Sequence, residues 1–154
     1  MGSGIGSKMA ERQLFTIYDA NGEVLWQAQV GPQQDLFDLT LNPNVQAQEI
    51  LLGGARAGGK TEALIAWMTL NIDKPLYRGL ILRNTAESLK EFCDRSWQLY
   101  EKMGAKREGR PTEFVFPSGA RIYTNHFKDE RSLEDVKGHE YHQIGLEEAT
   151  QIEK

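Results

Sequence analysis

Residues 53–61 read G-G-A-R-A-G-G-K-T, directly after the apolar run I-L-L at 50–52 and directly before E-A-L-I-A-W at 62–67. This stretch satisfies the pattern G-x-x-x-x-G-K-[ST] of a phosphate-binding loop, which lies between a strand and a helix. The matching positions are Gly54, Gly59, Lys60 and Thr61. The alternative is a glycine-rich turn with an accidental Lys-Thr, and the strand-like run before it and the helical pattern after it argue against that reading.

The chemistry of such a loop follows from its residue types. Glycines let successive backbone N–H groups approach phosphate oxygens, and the following helix offers its N-terminal N–H groups and positive dipole end. Lys60 is then expected to reach the β- and γ-phosphates of ATP as a catalytic group, and Thr61 to bind Mg²⁺ through its hydroxyl. Arg56 either acts on the γ-phosphate or a neighbouring subunit, or points to solvent. The predicted nucleotide-binding stretch is Gly54, Ala55, Arg56, Ala57, Gly58, Gly59, Lys60 and Thr61.

Composition places the chain in a broad class. Its 154 residues suit one domain, and 40% hydrophobic with 26% charged residues is typical of a globular protein. No apolar stretch approaches the roughly 20 residues of a membrane helix, so we expect no membrane partner. Residues 1–8 are interpreted as an expression leader and 9–30 as an N-terminal extension. Cys93 is the only cysteine, which excludes an intrachain disulfide.

The charge balance does not identify a polymer partner. The net charge is −4, whereas a protein that mainly grips nucleic acid usually has a basic surface. Basic residues do gather in the second half, but acidic residues are interleaved with them, so both a mixed solvated surface and a DNA-facing patch stay open. The basic residues are Lys102, Lys106, Arg107, Arg110, Arg121, Lys128 and Arg131.

The order of predicted elements indicates an α/β fold. Two strand-forming stretches, 14–18 and 23–29, flank Asn21-Gly22 and predict a hairpin, followed by a short helix over 33–41. A buried strand is expected at 49–52, a helix from 60 to about 71, and a second buried strand at 78–83.

The second half continues the pattern. Asn84 is expected to cap the next helix with Glu87 completing a capping box, and Gly104 to end that helix. An apolar stripe on this helix predicts core packing. A second hairpin is expected from 114–116 and 120–124, and a strand at 141–146. The members of the apolar stripe on the helix are Leu89, Phe92, Cys93, Trp97, Tyr100 and Met103. Alternating strands and helices predict a mainly parallel central sheet.

An acidic pair follows the last predicted strand. Glu147 and Glu148 would lie at the carboxyl edge of the sheet, which is also where the phosphate-binding loop ends its own strand. We expect Glu147 in the shell of the metal and Glu148 as the catalytic group that aligns or deprotonates the attacking water. The alternative is a pair of surface glutamates that open a solvated helix.

Two histidines near this strand invite a metal interpretation. His139 and His142 flank Glu140-Tyr141, but a spacing of three entering a strand places them on opposite faces. We therefore expect packing or surface roles for both.

Several motifs, taken in order, resemble the large terminase subunit of tailed bacteriophages, the ATPase that packages viral DNA. Residues 31–37 (G-P-Q-Q-D-L-F) look like that family's adenine motif, and the phosphate-binding loop follows at the usual distance. The stretch L-I-L-R-N-T at 80–85 resembles its second strand with an arginine. F-P-S-G-A-R-I at 116–122 is similar to a hairpin typical of the family, and 137–151 to its acidic strand segment.

The resemblance implies a P-loop NTPase core over 31–154 that uses ATP and Mg²⁺, works as a homo-oligomeric ring around double-stranded DNA and docks on a portal protein. It also implies a small terminase subunit as partner, the cytoplasm of an infected bacterial host as location, and adenine recognition by Gln34 or less favourably Gln33. The family usually has aspartate where Glu147 stands. Its last ATPase strands and its nuclease domain would follow residue 154, so we expect an incomplete ATPase domain without nuclease.

Other functions remain open from sequence. A helicase-like ATPase would share the loop and the acidic pair, but not the P-S-G hairpin or the G-H-E-Y context. A small-molecule kinase is disfavoured because no arginine-rich lid is visible. A non-catalytic nucleotide-binding or assembly module would keep the fold and lose turnover.

Overall fold

The computed structural model describes residues 13–42, 59–126 and 141–146. Within these ranges the chain is an α/β protein with three α-helices, a two-stranded sheet and a mixed five-stranded sheet. The elements in chain order are β1 (Thr16–Tyr18), β2 (Val24–Gln27), α1 (Pro32–Leu41), α2 (Gly59–Trp67), β3 (Arg78–Arg83), α3 (Ala86–Tyr100), a 3₁₀ turn (Glu101–Met103), β4 (Lys106–Glu108), β5 (Glu113–Val115), β6 (Arg121–His126) and β7 (Gln143–Leu146).

The large sheet has the order β4-β5-β6-β3-β7. β3 is parallel to both β6 and β7, whereas β4 and β5 are antiparallel to their neighbours. The expectation of a mainly parallel sheet is therefore wrong, and the sheet is mixed. The physical reason is connection length, because short turns can join only antiparallel strands and parallel neighbours need a crossover of a dozen or more residues.

The predicted hairpins are confirmed. β1 pairs with β2 around a turn in which Gly22 has φ +85°, and Asp19 Oδ1 accepts hydrogen bonds from the backbone N–H groups of Asn21 and Glu23. This pair forms its own sheet and packs on α1, where the rings of Phe15 and Phe37 stack at 4.1 Å. The second hairpin is β5–β6, and β4 extends it as a strand that the sequence did not predict.

α3 begins one residue later than expected. Thr85, not Asn84, is the N-cap, and Ser88, not Glu87, completes the capping box. The Thr85 hydroxyl accepts from the Ser88 N–H at 3.0 Å. In this box the Thr85 side chain accepts from the Ser88 backbone N–H, and the Ser88 side chain accepts from the Thr85 backbone N–H. The predicted apolar stripe is confirmed as core packing, and Gly104 follows the helix with φ +89°.

α2 ends earlier than expected, at Trp67 instead of about residue 71. Beyond it the backbone tightens, with Thr69 N–H donating to the Ala66 carbonyl oxygen at 3.0 Å. Two side chains reach the last carbonyls of the helix. Gln143 Nε2 donates to the Trp67 carbonyl oxygen at 2.9 Å. The Tyr77 hydroxyl lies 3.0 Å from the carbonyl oxygen of Met68. These contacts satisfy carbonyl groups that a helix end leaves without intrahelical partners.

The main core lies between the helices and one face of the large sheet. Ile81, Phe114 and Ile122 of the sheet belong to the same buried cluster as Ala63 and Phe92 of the helices. Leu80 and Leu82 occupy the opposite face, with Tyr123 and Tyr141 packed against them. In the described part of the chain no helix has the length and apolar character to cross a membrane. The strand expected at 49–52 lies outside the described residues.

Candidate phosphate-binding site

Three of the predicted loop residues form the first turn of α2. Gly59, Lys60 and Thr61 are partly buried, and the helix continues into the fully buried stretch 63–67. The first N–H groups of a helix have no intrahelical partner, which makes this turn suited to bind an anion. Thr61 supplies an oxygen ligand of the kind Mg²⁺ prefers. Gly54, Ala55, Arg56, Ala57 and Gly58 lie outside the described residues.

Gln33 connects α1 to this turn. Its Nε2 donates to the carbonyl oxygen of Gly59 at 2.8 Å, and its Oε1 accepts from the Gln29 N–H at 2.8 Å. Gly59 leaves room for this contact, because a Cβ there would come within 3.2 Å of Gln33 Nε2. The glycine at the sixth position of the loop pattern therefore also permits the approach of a neighbouring helix.

Gln34 faces the N-terminal hairpin. Its Oε1 accepts from the Phe15 N–H at 2.7 Å, and its Nε2 donates to Asp38 Oδ1 at 2.8 Å. The side chain is buried, and both ends of its amide are bound within the protein. Adenine recognition by Gln34 stays a prediction.

The relative direction of α2 and β7 is set by two contacts. Gln143, at the start of β7, bonds to Trp67 at the end of α2. Two residues further along the strand, Gly145 lies against Leu64, three residues back along the helix, and a Cβ on Gly145 would come within 2.8 Å of Leu64 Cδ1. The strand therefore runs toward the beginning of the helix, where Lys60 and Thr61 lie.

The three parallel strands end at the same edge of the sheet. Arg83, the last residue of β3, is opposite His126, the last residue of β6, and Leu82 is opposite Leu146, the last residue of β7. Arg83 is buried, and its guanidinium carbon lies 5.4 Å from the centre of the Phe92 ring. The positively charged Arg83 therefore lies beside the end of β7. Glu147 and Glu148 lie outside the described residues.

Charges on the surface near α2 and α3 are paired. Glu62 accepts from Arg95 at 3.0 Å, and Asp94 accepts from Arg107 at 2.8 Å. The hydrogen bond from Arg107, with a smaller contribution from Lys90, holds the pKa of the Asp94 carboxyl below its usual range. Arg121 and Glu113 form a further ion pair at 2.9 Å. Lys128 and Arg131 lie outside the described residues.

The described ranges hold no group of three or more His, Cys, Asp or Glu side chains able to bind a metal ion, and the role of Thr61 as a Mg²⁺ ligand stays a prediction. His142 Nδ1 accepts from the Arg78 N–H at 3.0 Å, and its ring stacks on Tyr77. This packing role agrees with the expectation for His142. His139 lies outside the described residues.

Sequence reasoning missed two residues that shape the site. The resemblance in sequence implies for Gln33 only a less favoured adenine contact, and nothing in the pattern G-P-Q-Q shows that it reaches Gly59. Gly145 carried a usable signal, because an isolated glycine within a strand often marks the close approach of another chain segment.

Comparison of the chain with protein-family models, with curated proteins and with solved structures found no match.

Proposed function

We propose that this chain binds the triphosphate of ATP with Mg²⁺ at the N-terminus of α2 and belongs to a P-loop ATPase. The observation that carries the proposal is the antiparallel packing of α2 and β7, with Gly145 against Leu64. Lys60 lies four residues before Leu64, about 6 Å along the helix axis at 1.5 Å per residue. Leu146, the last residue of β7, lies one residue after Gly145, about 3 Å along a strand at 3.3 Å per residue, and Glu147 is the next residue in the sequence. Both displacements run from the Gly145–Leu64 contact toward the start of α2.

Alternation along β7 supports the same arrangement. Gln143 and Gly145 face α2, whereas Ile144 and Leu146 are exposed on the other face. We propose that Glu147, the residue directly after β7 in the sequence, and Thr61 supply oxygen ligands to Mg²⁺.

Each residue has a chemical role in the proposal. Lys60 binds the β- and γ-phosphates as a fixed cation, and Thr61 and Glu147 hold Mg²⁺, which neutralises charge on the phosphate oxygens when bound. Glu148 orients the attacking water and takes its proton. Arg56, within the loop, stabilises charge that spreads over the transferring phosphoryl group. The peptide N–H groups of the first turn of α2 complete the anion site.

The resemblance in sequence extends the proposal to the whole protein. It supports a terminase-type ATPase that converts hydrolysis into movement of double-stranded DNA, with a ring of subunits, a portal protein and a small terminase subunit as partners in the cytoplasm of an infected bacterium. DNA that accelerates hydrolysis, with the acceleration lost at high salt, would favour this motor over a kinase.

The test measures binding and turnover separately. Isothermal calorimetry with ATP and Mg²⁺ is run on the unaltered chain, on Lys60→Ala and on Glu148→Gln, with Lys74→Ala at an exposed lysine as the control. We expect Lys60→Ala to lose binding at least tenfold, and Glu148→Gln to keep binding and lose hydrolysis. An unaltered chain that takes up no nucleotide would refute the proposal. Binding without turnover in every version would favour the non-catalytic module.

A further inference from the structure

The carbonyl group of Gly59 has a partner outside its own helix. Gln33 Nε2 donates to it at 2.8 Å from α1, across 26 residues of sequence. We propose that Gln33 is a positioning residue for phosphate binding, which holds the Gly59–Lys60 peptide group so that the Lys60 N–H faces the anion. This inference rests on the proposed function, because Gln33 would support the peptide group that binds the phosphate in the same site.

The Gly59 carbonyl and the Lys60 N–H belong to the same planar trans unit and point in opposite directions. At the start of a helix the carbonyl points along the helix, and the N–H points out of the N-terminus. A hydrogen bond that fixes the carbonyl therefore also fixes the direction of the N–H.

Gln33 is itself held in place. Its Oε1 accepts from the Gln29 N–H at 2.8 Å, and the Gln29 carbonyl oxygen accepts from the Gln34 N–H at 3.2 Å. The side chain is only 9% exposed, so water does not compete freely for the amide. Its donor therefore has one orientation before any ligand binds, and binding does not have to order it.

The contact also acts through polarisation. A donor on the carbonyl oxygen shifts electron density within the peptide group, and linked hydrogen bonds strengthen one another in a low-dielectric setting. The Lys60 N–H becomes a better donor to a phosphate oxygen. Gln33 touches no part of the nucleotide in this scheme, so its effect is the same for every ligand that carries the phosphates.

The experiment uses a ligand without a base. Calorimetry with inorganic triphosphate, and separately with ATP, is run without a divalent cation on the unaltered chain and on Gln33→Met. We expect affinity for both ligands to fall by the same factor, about two- to tenfold, the usual range for one net hydrogen bond. The amide proton resonance of Lys60, measured without ligand, is expected to move in the same variant.

Gln143→Met is the matched control. Gln143 is also 9% exposed and also donates to a carbonyl of α2, but at Trp67, the opposite end of the helix. Urea denaturation is expected to show a similar loss of stability in both variants, whereas only Gln33→Met lowers affinity for triphosphate. A purely structural role would make the two variants alike in both measurements.

A second variant covers failure of the first to fold. Gln33→Glu keeps nearly the same shape and the acceptor for the Gln29 N–H, but it places a carboxylate oxygen against the Gly59 carbonyl. We expect a larger loss of triphosphate affinity than for Gln33→Met. Unchanged triphosphate affinity in a folded variant would overturn the inference.

The remaining outcomes separate this inference from the proposed function. A loss confined to ATP, with triphosphate unaffected, would mean that Gln33 contacts the base and would overturn the positioning role alone. An unaltered chain that binds neither ligand would overturn the proposed function and the inference with it.

Discussion

Gly145 on β7 lies so close to Leu64 on α2 that a Cβ on the glycine would come within 2.8 Å of Leu64 Cδ1 and 3.0 Å of Ile81 Cδ1. The strand and the helix are therefore packed backbone against side chain, with no space for even a methyl group. This contact fixes the distance between β7 and α2. It therefore also fixes the position of the end of β7 relative to Lys60 and Thr61 at the start of α2.

Gly145→Ala tests this contact. The added methyl group must displace Leu64 or Ile81, and overpacking of this kind costs about 1–3 kcal/mol. Urea denaturation measures the loss. In the double variant Gly145→Ala/Leu64→Ala the shortened side chain makes room, so we expect a destabilisation smaller than the sum of the two single variants by about 0.5–3 kcal/mol. Strict additivity would show that the two residues do not touch.

Gln34→Leu tests the connection between α1 and the N-terminal hairpin. The substitution removes the acceptor for the Phe15 N–H and the donor to Asp38, and each of these partly buried hydrogen bonds contributes about 0.5–1.5 kcal/mol. Hydrogen exchange of the Phe15 amide should accelerate. Gln27→Leu, at an exposed glutamine on β2, is the control and should change little. Unchanged Phe15 protection would contradict the assignment.

The same variant bears on adenine recognition. If Gln34 contacts the base, Gln34→Leu should reduce the preference for ATP over GTP while leaving affinity for inorganic triphosphate the same. If both nucleotides and triphosphate change together, the glutamine acts through the fold.

Alkaline pH is expected to weaken the junction between α2 and β7. Burial raises the pKa of the Tyr77 hydroxyl well above its ordinary range. In the unfolded chain a tyrosine ionises near pH 10, so the unfolded state releases a proton that the folded state retains. The stability from neutral Tyr77 is therefore fully present below about pH 10 and declines as the pH rises above it.

Thermal unfolding between pH 8 and 11 measures this effect. Tyr77→Phe lacks the ionisable group and should lose less stability over that interval than the unaltered chain. It is expected to be less stable at pH 8, because it lacks the hydroxyl that lies 3.0 Å from both the Met68 carbonyl oxygen and Gln143 Oε1. Tyr18→Phe, at a tyrosine that is 53% exposed, serves as the control. Equal slopes for the unaltered chain and Tyr77→Phe would contradict the prediction.

Thr40→Val tests the contact between α1 and α2 near the C-terminal ends of both helices. The Trp67 indole N–H donates to the Thr40 hydroxyl at 2.8 Å, and the ring is buried. Removal of the hydroxyl should cost about 1–3 kcal/mol in urea denaturation because the indole N–H loses its partner. In a Trp67→Phe background the same change should cost less, since no N–H remains. Equal costs in both backgrounds would mean that the bond contributes nothing.

Much of the local structure follows from the sequence. The β3 strand, the apolar stripe of α3 and both hairpins depend on patterns within a few residues, such as the alternation of side chains or Asn21-Gly22 at a turn. The capping residue of α3 was missed because Asn84 and Thr85 are both good caps and only the backbone path selects between them. β4 was missed because three residues with a charged pattern, K-R-E, carry no strand signal.

The sequence by itself determined which residue types are available for phosphate chemistry, since glycines, a lysine and a threonine in that spacing are a local property of the chain. The tertiary structure alone decided that β7 runs toward the start of α2 and that Gln33 reaches Gly59. Those relationships join residues that are far apart along the chain. They depend on strand order and on the packing of one helix against another, which no local pattern encodes.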